Sequence, residues 1–142
     1  VKEELIKSIE LAKKTGNFDL AKRMEIMICI VNNALNAVSY QAQLDRVNAL
    51  GIKPDEHIYS RTGNCWDRQR MMETARQEID NIALLIKLLG DKPGDYLSLT
   101  ETLEEKDIKK YGPDFIEELK QKIKIMNQHW EDYERMFTTP NL

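Results

Sequence analysis

The densest run of side chains equipped for chemistry is Tyr59-Ser-Arg-Thr-Gly-Asn-Cys-Trp-Asp-Arg-Gln-Arg70, with His57 just upstream. Arg61, Arg68 and Arg70 cluster around the expected start of a helix, beside Tyr59 and Trp66. A helix N-terminus offers free backbone N–H groups and a partial positive charge, and guanidinium forks add bidentate donors. That set is suited to a phosphate or a carboxylate. The simpler assignment is structural: Arg68 pairs with an acidic residue such as Asp45 and Arg70 stays solvated, because a charge near a helix seam needs a partner or an outlet to water.

Metal chemistry has less support. Di-metal helical bundles converge inward-facing Glu residues with Glu-x-x-His pairs. Neither His57 nor His129 lies three residues after a Glu. Glu101, Glu104 and Glu105 are neighbours, and Glu131 and Glu134 are helically spaced, but both groups fall away from the apolar stripes and read as solvated acidic faces. No metal and no cofactor is therefore expected. A Cys65 thiolate at a helix N-terminus with His57 nearby is the only nucleophile pattern, and Cys65 falls on the core-facing side of its helix, which predicts burial. Neither a phosphate-cradling Gly-rich loop nor a G-x-S-x-G elbow occurs. The balance of these features leans away from catalysis.

The elements that carry these residues are all helical. Leu5, Ile9 and Ala12 make one face of a helix over 2–14, stopped by Gly16, with Asn17 placed to cap the next. A long helix over 17–50 ends at Gly51 with Pro54 beyond. A third, over 64–89, has the seam Met72, Ala75, Ile79, Ile82, Ile86 and Leu89, and a fourth, over 113–137, has the seam Ile116, Leu119, Ile123, Met126, Trp130, Tyr133 and Phe137. Thr100 is placed to cap a short extra helix near 101–110, tacked down by Leu103 and Ile108, and Pro113 suits the first turn of the last helix. No segment alternates with the period of a strand. The expected fold is all-α: an antiparallel helical bundle of four main helices plus one short element, forming a single domain over 1–142.

The long helix carries two apolar stripes. Leu20, Met24, Met27, Val31, Leu35 and Val38 form one; Ile26, Ile30, Ala37, Tyr40, Leu44 and Val47 form the other. At about 100° per residue they point in nearly opposite directions, so one flanking layer cannot bury both. Asn33 falls on the second stripe, where a lone amide either fixes register or bonds internally, or lines a small polar pocket with Tyr40. Cover for Tyr40, Leu44 and Val47 must come from the 90–112 segment or from another molecule.

The 142 residues carry 21 basic and 24 acidic side chains, a net charge of −3 that makes nucleic acid an unpromising partner. No apolar run reaches the ~20 residues that span a bilayer, so no membrane role is expected. Cys29 and Cys65 lack metal-ligand spacing and suit buried thiols in a reducing cytoplasm. The expected function is a non-enzymatic interaction protein or assembly subunit with a protein partner, self-associating as a homo-oligomer through Ile26, Ile30, Asn33, Ala37, Tyr40, Leu44 and Val47. The alternative is a small-molecule, phosphate- or carboxylate-binding bundle using Tyr59, Arg61, Trp66, Arg68 and Arg70.

Overall fold

Three residues turn the first helix into the second. Gly16 adopts φ 75°, its N–H bonds the Lys13 carbonyl (3.1 Å), and the Asn17 N–H reaches back to the Ala12 carbonyl (2.8 Å). This paired pattern closes a helix through a left-handed residue, which glycine adopts without a Cβ clash. The Asn17 side chain then accepts from the Leu20 N–H (3.2 Å) and caps the following helix. The stop and start signals expected at Gly16 and Asn17 are both present.

The computed structural model describes residues 2–49, 64–102 and 111–132, without the side chains of 47, 48 and 64–68. It contains α1 (Lys2–Lys14), α2 (Phe18–Ala49), α3 (Asn64–Leu89) and α4 (Phe115–Gln128), with a 3-10 turn at Pro93–Asp95 before α4. The described residues form no strand, only an isolated bridge between Leu99 and Tyr111. Helix α1 packs on α2 through Ile9, Ala12 and Ala21, with Met24 and Ile28 alongside. The α2–α3 contacts run in opposite chain directions: Cys29 meets Asn81, Asn36 meets Glu78, and Gln43 meets Thr74. Helix α4 closes the other side of α3, Leu119 joining Ile26, Cys29, Ile82, Leu85 and Leu89 in the main core.

Four residues of the expected α3 seam, Ala75, Ile79, Ile82 and Leu89, are buried, and Met71 and Leu85 join them. Met71, Ala75, Ile82, Leu85 and Leu89 are the deepest apolar residues, whereas Met72 and Ile86 are only half-buried. Sandwiched between α2 and α4, α3 buries a wider arc than a single stripe. One local expectation shifts. Helix α4 begins at Phe115 rather than Pro113, because Pro113 occupies a turn in which the Phe115 N–H bonds the Gly112 carbonyl (3.3 Å). The Thr100 N–H (2.9 Å) and hydroxyl (3.2 Å) both donate to the Tyr111 carbonyl. The expected helix near 101–110 and its anchors Leu103 and Ile108 lie outside the described residues, as do Tyr133 and Phe137 of the last seam.

Cys29 sits in the core at 1% exposure. Burial pushes its thiol up from the ordinary value, and Glu25 adds to the shift. The folded chain thus favours the protonated thiol. That contribution is whole below the ordinary thiol range and is lost as pH rises above about 8.5, where the unfolded thiol ionises first.

Two measurements check this core. Leu85→Ala should lower the unfolding free energy in urea by about 2–5 kcal/mol, while Leu84→Ala, next in sequence but 48% exposed, should stay within about 0.5 kcal/mol. In a Cys65→Ser background, Cys29 should resist iodoacetamide at pH 8 in the folded chain and react once urea unfolds it. Prompt labelling of the native protein would contradict the buried placement.

Candidate functional site

Glu78 occupies a core position of α3. Stepping by four and three residues, Met71, Ala75, Glu78, Ile82, Leu85 and Leu89 make one continuous line, and Glu78 is the single charge on it. Its side chain is 8% exposed. A carboxylate removed from water to this degree requires donors and a counter-charge. Both are present. Asn33 Nδ2 donates to Oε1 and Asn36 Nδ2 donates to Oε2, each at 2.8 Å. Lys122 Nζ, reaching across from α4, donates to Oε1 at 2.6 Å. One carboxylate therefore ties α2, α3 and α4 together.

Polar contacts continue along the same α2–α3 seam. Asn81 Nδ2 donates to the Cys29 carbonyl (2.9 Å) and its Oδ1 lies 3.4 Å from Asn32 Nδ2. At the other end Thr74 and Gln43 meet at 3.5 Å. Between Glu78 and Thr74 the helices part into a cleft of about 320 Å³, with Asn36, Tyr40, Lys122 and Met126 among its walls. Most of that lining is apolar, and its charged groups are the Glu78 carboxylate and the Lys122 ammonium paired with it.

The second stripe of α2 is largely spent on this architecture. Ile26 is 3% exposed inside the main core and Ile30 packs against it; Tyr40 and Leu44 pack against Met71. Asn33 binds Glu78, and Ala37 and Tyr40 line the cleft. Ile26, Ile30, Tyr40 and Leu44 are covered by α3; of the segment after Gly90, the described part docks at the far end of α2, where Tyr96 lies under Lys22 (4.5 Å) and Arg23 (5.2 Å) and the Asp95 carbonyl accepts from Arg23 (3.1 Å). Ile26 and Ile30 thus face the core of their own chain. The Val47 side chain lies outside the described residues.

It is the first stripe that stays open. Met24 is half-covered by α1, but Leu20 is 41%, Met27 53%, Val31 39%, Leu35 52% and Val38 69% exposed.

Of the arginine-rich set, Tyr59 and Arg61 lie outside the described residues, as do the side chains of Trp66 and Arg68. Arg70 is exposed and lines a shallow polar groove with Arg46, Gln43 and Glu73. Asp45 accepts from Gln41 (2.8 Å). Among the described residues no three His, Cys, Asp or Glu side chains converge on a metal position. His129 is exposed and meets Asp132 at 3.0 Å, and Arg76 lies 3.9 Å over the ring of Trp130.

Glu78 and Lys122 were not among the residues that the amino-acid pattern singles out. The available signal was the four-three spacing through Glu78, an acid where every other member of the line is apolar. Lys122 carried no signal, since it pairs across 44 positions.

Comparison with protein-family models, with curated proteins and with solved structures gives no match, so no relative's chemistry bears on this site.

Lys122→Ala should cost about 1–3 kcal/mol in chemical denaturation, because it leaves a buried carboxylate short of a charged donor. Lys120→Ala, which breaks the exposed pair with Glu117, should cost at most about 1 kcal/mol. Equal losses would mean that Glu78 is not held as described.

Proposed function

We propose that this chain is a non-enzymatic interaction protein that self-associates through the outer face of α2. The observation that carries this reading is the run of large apolar side chains left exposed there, Leu20, Met27, Val31, Leu35 and Val38. Scattered apolar residues are ordinary on a protein surface, whereas a contiguous stripe marks a contact surface. From Leu20 to Val38 it runs about 27 Å along the helix at about 1.5 Å per residue.

A second copy of the chain is the occupant that fits best. Leu20, Met24, Met27, Val31, Ala34 and Val38 follow one another at steps of four and three residues, the repeat that keeps two helices in contact through a left-handed supercoil. Between Glu25 and Asp45 α2 carries no charged side chain, so pairing this face with itself brings no like charges together. In an antiparallel pair with Val31 opposite Ala34, Met27 falls opposite Val38. Asp45, exposed at one end of the stripe, then comes beside Arg23 of the partner subunit.

Sedimentation over a concentration series tests the reading. The parent chain should populate a dimer, and Val31→Glu with Val38→Glu should raise the dissociation constant at least about tenfold. Circular dichroism should be unchanged, because both side chains are already exposed in the single chain. A parent that remains monomeric at several hundred micromolar would overturn the proposal.

A further inference from the structure

On the opposite side of α2 from the open stripe, the cleft over Glu78 has the makings of a ligand site, and its chemistry is independent of self-association. We infer that it binds a small primary ammonium compound with an apolar body, the ammonium docking on Glu78 in place of Lys122.

The carboxylate comes first. Glu78 accepts two hydrogen bonds on Oε1, from Asn33 and Lys122, and one on Oε2, from Asn36. A carboxylate has about four lone-pair sites, so the described residues leave one position on Oε2 unused, and Asn36, the donor at that oxygen, itself lines the cleft. The two asparagine amides are neutral. Among the described residues, the compensating charge comes from Lys122.

The lysine differs in kind from the other two donors. Its side chain is 43% exposed, against 8% for its partner, and it reaches Glu78 from α4 on a flexible four-carbon stem. Such an ammonium is strongly hydrated and can move to solvent without disturbing a packed side chain. The amides sit on α2, fixed by the helix that buries them. Glu78 therefore has a permanent neutral cradle and an exchangeable cation.

The walls select what can take the cation's place. About 320 Å³ is at the small end of ligand cavities. Ala75 and Met126 offer apolar surface and Tyr40 an aromatic one. Inorganic cations gain nothing from such walls, whereas an alkyl or aryl group attached to an ammonium buries apolar area there. Anions are disfavoured by the full negative charge of the same carboxylate once the lysine has swung away. The ligand competes with a tethered lysine whose effective concentration is of millimolar order, so removal of the lysine exposes the site's own affinity.

n-Butylammonium is the probe. Titrated into Lys122→Met, a change that keeps the unbranched stem and removes the charge, it should raise the melting temperature saturably, with n-butanol and sodium chloride at equal concentration as controls. Binding should be at least about tenfold tighter than in the parent chain, and Glu78→Gln in the same background should abolish it. In the parent chain, NMR titration should move the Asn36 side-chain amide signals saturably and leave those of Asn81 in place. A response to butylammonium no larger than to sodium chloride, or Asn36 signals that do not move, would overturn the inference. The parent-chain titration reports even if a variant fails to fold.

Discussion

A single carboxylate sets the terms for three of the four helices. Glu78 is withdrawn from water, and an ionised group in that position is tolerated only with close donors and a counter-charge. Asn33 and Asn36 must therefore face α3, which fixes the rotation of α2 about its axis. Lys122 must reach α3 as well, which fixes the height of α4. Apolar packing of Ile82, Leu85 and Leu89 against Ile26 and Leu119 supplies the larger share of burial, but greasy surfaces slide and rotate at small cost. Directional bonds to one buried acid do not.

This constraint decides which face of α2 stays open. Once Asn33 and Asn36 turn toward Glu78, Ile26 and Ile30 turn with them into the core, and Tyr40 and Leu44 meet Met71. The stripe on the other side is then left outward along Met27, Val31, Leu35 and Val38. Helix α1, thirteen residues long, covers only the flank at Ala21, Met24 and Ile28. The two-sided character of the long helix is real, and its more exposed side is the one that carries Met27, Val31, Leu35 and Val38.

The same geometry leaves the cleft. Where α2 carries Ala37 and α3 carries Ala75, the side chains are too small to fill the space between helices held apart by the Glu78 cluster and by Tyr40 against Met71. A polar core position flanked by small residues is a costly arrangement for stability alone. The cost is understandable at a position that specifies how three helices meet.

Local chemistry was legible in the chain. Gly16 and Asn17 act on backbone groups within five residues, and the start of α3 at Asn64 and its end before Gly90, φ 59°, follow from signals equally short in range. The all-helical class followed from periodicity, which is also local. The fixed φ of Pro113 serves a turn as well as a helix start, and α4 begins two residues later at Phe115. What could not be read was orientation. A helix with apolar residues on two sides has two admissible rotations, and the choice rests on contacts between residues more than forty positions apart, Asn33 with Glu78 and Glu78 with Lys122. No single segment holds that information: it arises when three amphipathic helices must satisfy one buried charge together.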